Sequence, residues 1–189
     1  MTKPSTPLAD PDGYFARTDA FSLGRASVLV FAYWVGSLAV DLGWWLAGDL
    51  AGDPVTAFSA LQHLEATLLY WVVPTVVLYG LVLAVGADGE PAETLALAAW
   101  GLVPLLAGMA MFNLALAALA TLGVDPGAIP SDPDVWLFVP LALLACGWAA
   151  YVWRGGLAVG FGLERSTATP TALLAAGVCA VMLVSPILG

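Results

Sequence analysis

Four polar side chains stand in or beside long apolar runs: Asp41, His63, Glu65 and Asn113. An ionisable group inside a membrane span is costly, and such groups often mark ion or proton pathways. Two carboxylates, an imidazole and an amide have the donors and acceptors to hold a cation or pass a proton, so a proton- or cation-responsive site is the chemistry this set offers. At about 1.5 Å per helical residue, all four fall towards the outer ends of their spans. The competing reading is that they meet water or headgroups there and cap helix ends. Ser37, Thr67 and Thr75 add hydroxyls to the same spans, and spacing alone leaves open which of these groups face one another.

Other chemistries lack their residues. The chain has no G-x-S-x-G, no H-E-x-x-H and no glycine-rich loop ending in Gly-Lys-Ser/Thr, the patterns that place a nucleophile, a zinc ion or a phosphate. No lysine lies inside an apolar run, so a retinal Schiff base has no anchor, and a single histidine cannot build a multi-histidine metal or haem site. Cys146 and Cys179 are isolated in apolar sequence with no C-x-x-C, which predicts two small buried side chains at similar depth rather than a zinc or redox site. No catalytic residue, cofactor or metal is expected.

The elements that must position these groups follow from composition. The 189 residues are 61% hydrophobic and 10% charged, with a mean hydropathy of +0.92, well above the roughly 45–50% apolar content of soluble domains. The charges lie almost entirely between the apolar runs. This predicts an all-α membrane protein with five spans of roughly the 20 residues a bilayer requires: about 26–46, 66–85, 94–121, 135–153 and 171–188. Asp53-Pro54, Glu90-Pro91, Asp132-Pro133 and Thr169-Pro170 read as helix starts for spans two to five. Between Pro54 and Leu64, apolar residues at three-residue spacing predict either a separate amphipathic helix or an extension of the second span. Pro74, Pro104, Pro140 and Pro186 each remove a backbone hydrogen bond and predict kinks. Gly156-x-x-x-Gly160 permits close helix approach; at the end of the fourth span it reads as a turn rather than a dimer seam.

Residues 1–25 form a polar segment without the apolar core of a signal peptide. Within it Asp10-Pro11 predicts a short interfacial helix, with Tyr14, Phe15 and Arg17 as a headgroup-facing surface. The five basic residues fall in two places, Lys3, Arg17 and Arg25 before the first span and Arg154 and Arg165 between the fourth and fifth. With five spans these regions share one side, so the positive-inside rule predicts a cytoplasmic N-terminus and an outer C-terminus. The net charge of −9 argues against nucleic acid as a partner; it suits a chain adapted to high salt. The expected location is the cell membrane, with lipid, other membrane proteins or a second copy as partners.

Several stretches, in this order, resemble a known family. They are Pro11-Asp-Gly-Tyr-Phe15, Gly86-Ala-Asp-Gly-Glu-Pro-Ala-Glu-Thr-Leu95, Ala99-Trp-Gly-Leu-Val-Pro104, Leu143 to Trp153, Gly155-Gly-Leu157, Gly160-Phe-Gly-Leu-Glu-Arg-Ser166 and Thr171-Ala-Leu173. The chain is similar to the YIP (Ypt/Rab-interacting protein) family of integral membrane proteins. It departs from the family pattern at Glu90-Pro91 and Glu164-Arg165. The resemblance implies five transmembrane helices, a cytoplasmic N-terminus and a non-enzymatic role in organising membranes or binding partners. Its eukaryotic members are linked to small GTPases, but this chain looks prokaryotic and no such partner is carried over. The alternative expectation is a small transporter or channel subunit with its polar site near Asp41.

Overall fold

The computed structural model describes residues 6–17, 19–47, 55–124 and 134–188. Its element order is α1 (Pro11–Phe15), α2 (Leu23–Ala47), α3 (Ala57–Ala84), α4 (Pro91–Thr121), a π-helical turn (Asp134–Phe138), α5 (Val139–Val159) and α6 (Arg165–Leu188). The described residues contain five helices long and apolar enough to cross a membrane. Residues 48–54 and 125–133, which hold the Asp53-Pro54 and Asp132-Pro133 helix starts expected above, lie outside the described residues, as does Lys3.

Helix ends follow local chemistry. The Asp10 carboxylate accepts from Gly13 N–H at 3.0 Å with Pro11 in the first turn, the capping arrangement expected. Pro91 opens α4, and the Glu93 carboxylate accepts from the Glu90 N–H at 3.2 Å. Helix α3 is capped at Thr56, whose hydroxyl oxygen accepts from Ser59 N–H at 3.1 Å, while Ser59 Oγ accepts from Thr56 N–H at 2.8 Å. The amphipathic stretch is therefore an extension of the second span, continuous with it. The left-handed Gly86 (φ +74) ends α3; Gly86 and Ala87 donate back to Leu83 O and Val82 O at 3.0 and 3.2 Å, closing carbonyls that would otherwise be open.

Three boundary expectations are corrected. Helix α6 begins at Arg165, with Pro170 inside it, so Thr169-Pro170 is not its start. Gly155 and Gly156 are buried inside α5, which runs on to Val159; Gly156 is a close-packing position rather than a turn. Pro140 lies in the first turn of α5, directly after the π-helical turn.

Helix α4 packs against α2, α3 and α5, and α6 closes a ring by packing on α5 and α3. Helix α2 lies outside this ring against α3 and α4. Lipid is as apolar as leucine, so burial of apolar area does not drive helices together in a bilayer; close contact between small residues does. Ala96, Ala98, Ala99, Ala145, Ala149, Ala150, Ala172, Ala175 and Ala176 are all buried, which brings the backbones close. Large side chains fit where glycines make room: a Cβ on Gly101 would strike Trp153, and one on Gly156 would strike Leu97. The stretches 99–104 and 143–157 thus form one packed unit between α4 and α5. Cys146 and Cys179 are free and buried, and Phe31, Val76, Leu144 and Val181 are exposed on the outside of the bundle.

Candidate functional site

Tyr33, Ser37 and Asp41 recur every four residues on α2 and so share one face. That face meets α3 at His63. The imidazole Nε2 lies 2.6 Å from Asp41 Oδ2 and Nδ1 lies 3.1 Å from Ser37 Oγ. The Ser37 hydroxyl donates to Trp34 O at 2.8 Å, leaving its oxygen free to accept. Both neighbours of the ring are then acceptors, and an imidazolium, with a proton on each nitrogen, satisfies both. The neutral ring with its proton on Nε2 keeps the bond to Asp41 but must turn the Ser37 hydroxyl away from Trp34. A second link between the helices is the Trp34 indole, which donates to Ala60 O at 2.9 Å.

Serine, histidine and aspartate in a row are the members of a nucleophilic triad. Here Ser37 is 5% exposed and sits in mid-helix, where backbone N–H groups are already bonded and none is available to hold an oxyanion. The row is a polar clasp between α2 and α3. The Asp41 side chain is 46% exposed and that of His63 26%, so the clasp opens onto the end of the bundle.

The other two residues of the expected set lie apart. Asn113 joins α4 to α2: its Oδ1 accepts from the Trp44 indole at 2.6 Å, and its Nδ2 donates to Met109 O at 2.8 Å. The groove above this pair, about 410 Å³, is lined by Ala39, Val40, Gly43, Ala110, Leu114 and Ala117 besides Trp44 and Asn113. Glu65 is exposed on another face of α3 among Leu61, Leu68, Leu69 and Val72. The four residues form one pair, one separate amide and one outlying carboxylate. Among the described residues no hydrogen bond links the pair to the amide or to the carboxylate. The buried threonines turn inward on their own helices: Thr67 donates to His63 O at 2.7 Å, Thr75 to Trp71 O at 2.8 Å and Thr171 to Thr167 O at 2.8 Å. Among the described residues no three of His, Cys, Asp and Glu gather as a metal site would require.

The four arginines cluster at the opposite end, around the N-terminal segment. Arg25 Nη1 donates to the Tyr14 hydroxyl at 3.2 Å and its other nitrogen pairs with Asp19. Arg17 lies over the Tyr14 ring, 4.6 Å from its centroid. Arg165 pairs with Asp12, and Arg154 lies 5.2 Å from the Tyr151 ring centroid. The segment is held along α5, with the Trp148 indole donating to Leu8 O at 3.0 Å and the Tyr151 hydroxyl to Ala9 O at 3.2 Å. Gly155 lets Pro11 sit against the α5 backbone. Tyr14 and Phe15 are buried, Tyr14 edge-on to Trp100 of α4 at 5.2 Å, which corrects the expected headgroup-facing surface. Outside the spans, the hydrogen bond and charge of Arg25 hold the Asp19 carboxyl below its ordinary range.

Sequence reasoning missed that the clasp includes Ser37 and that Tyr33 continues the same stripe. The four-residue repeat on α2 was the available signal, but nothing in the sequence gave the facing residue on α3. A model of the Yip1 domain family matches residues 8–187. No curated protein matches the chain, and no solved structure does.

Proposed function

The chain belongs to the Yip1 domain family of membrane proteins, and from that premise we propose that it is a non-enzymatic component of the cell membrane that organises or binds other membrane proteins. The observation that carries this reading is the bundle interior. Apolar side chains line most of the ring, the buried threonine hydroxyls bond their own helices, and Asp41 and His63 pair with each other near one end. A transporter needs a site that both sides of the membrane can reach in turn, and a row of polar groups to form it.

The partner-binding face is the end that carries the N-terminal segment and the arginines, which we assign to the cytoplasm because Lys and Arg are retained there. There α1, the 85–90 connection and the 160–164 connection come together. Proteoliposomes test the reading. The expected result is no proton or cation flux above protein-free vesicles, for wild type and Asp41→Asn alike. Flux that the wild type supports and Asp41→Asn abolishes would replace it with the transporter reading. Photo-crosslinkers at Asp88 and Glu164 are expected to capture membrane-protein partners or a second copy in whole cells, while one at Gln62 captures none.

A further inference from the structure

Among the described residues a partly enclosed cavity lies inside the ring, away from the clasp. It measures about 170 Å³ and is walled by Tyr33, Tyr70, Leu105, Met109, Phe138 and Leu183, with small residues of α4 and α5 between them. Tyr33 comes from α2, which packs on α3 and α4, and it reaches this space from outside the ring. Tyr33 is 6% exposed and stands near the middle of α2; Tyr70 stands midway along α3, with the two rings 6.4 Å apart.

Neither hydroxyl has a hydrogen-bond partner among the described residues. An open donor at mid-membrane depth is costly, because no water is there to satisfy it, and a buried tyrosine ordinarily finds a partner for its hydroxyl. Phenylalanine would fill the same volume without that cost. The buried Tyr33 donor on the wall of this cavity, with the half-buried Tyr70 beside it, calls for an acceptor inside it.

The walls define the rest of the ligand. None of the lining residues is charged, so the ligand is neutral. The other side chains are aliphatic, aromatic or thioether, so it is apolar and reaches the site from the lipid. The volume is slightly larger than the roughly 150 Å³ cavity that takes up benzene, which sets the size at one ring with a small substituent. Phe138 and Met109 offer edge and sulfur contacts to such a ring. A water molecule needs two to four polar partners; the two hydroxyls would hold one and leave most of the space empty. We propose that this cavity binds a membrane-soluble, ring-sized carbonyl compound whose oxygen accepts hydrogen bonds from Tyr33 and Tyr70.

The test uses the full chain in lipid nanodiscs with 4-fluoroacetophenone as the probe, read by fluorine NMR. 4-Fluorocumene has nearly the same shape and no acceptor, so it reports the cavity without the hydrogen bonds. In the wild type, a saturable protein-bound resonance, distinct from lipid-dissolved probe, is expected for the ketone. Tyr33→Phe and Tyr70→Phe remove only a hydroxyl without a partner, and their folding is checked by helical circular dichroism and thermal unfolding. Each is expected to weaken ketone binding about fivefold, the net effect of one hydrogen bond, and to leave cumene binding unchanged. A folded wild type with no bound ketone resonance, as a cavity holding water alone would give, overturns the proposal. So does equal ketone affinity in the wild type and both phenylalanine variants.

Discussion

Asp41 and His63 meet because α2 and α3 run antiparallel with their polar faces in register, and the bond between them is short yet only partly buried in the bundle. Partly exposed pairs contribute little, roughly 0.2–1 kcal/mol. Asp41→Asn and His63→Gln should therefore each lower unfolding stability in detergent by less than about 1 kcal/mol. The double variant should lose less than the sum of the two, as a double-mutant cycle would show. Asn113→Leu is expected to cost about 0.6 kcal/mol, typical of an interhelical hydrogen bond in a membrane; a larger loss would mean that the Trp44 indole finds no substitute partner. At the other end, Arg25 depresses the Asp19 carboxyl, so its contribution is present above the unfolded aspartate range and disappears as pH falls through the lowered folded value. Asp19→Asn should thus melt earlier than wild type at neutral pH, and the difference should close in strong acid.

At the scale of elements, glycine positions decide how closely helices approach. Gly101 and Gly156 each occupy a place where a methyl group would overlap Trp153 or Leu97, whereas nothing lies within 4 Å of a Cβ built on Gly43 or Gly177. Overpacking typically costs about 1–3 kcal/mol. Gly101→Ala and Gly156→Ala should therefore lower the unfolding midpoint, while Gly43→Ala should leave it unchanged or raise it, since alanine favours helix by up to about 1 kcal/mol. Equal effects at all three positions would show that helix propensity, not packing, governs the bundle. The same argument applies to α1: Gly155→Ala should loosen the N-terminal segment from α5, read as faster proteolysis at Arg17.

At the scale of the molecule, the alternation of spans puts the 85–90 and 160–164 connections at one end and Val124 at the other. In a Cys146→Ala, Cys179→Ala background, cysteines placed at Asp88 and Glu164 should react with a membrane-impermeant maleimide only from the cytoplasmic side, and one at Val124 only from outside. Labelling of Asp88→Cys from outside would reverse the orientation. Five spans, their order and the family were legible in the sequence, because a bilayer forces apolar runs of fixed length and pushes charge into the connections. Helix ends were less legible: Thr56, Pro140 and Gly156 act through neighbours that spacing does not reveal. The sequence also named Asp41, His63, Glu65 and Asn113 as polar exceptions, since any charge in apolar sequence stands out. Which of them meet was decided only by tertiary structure. Rotation of each helix about its axis is set by side-chain packing from several helices at once, and that rotation turned His63 onto Asp41 and Ser37, turned Glu65 away, and carried Tyr33 to the wall of the cavity with Tyr70.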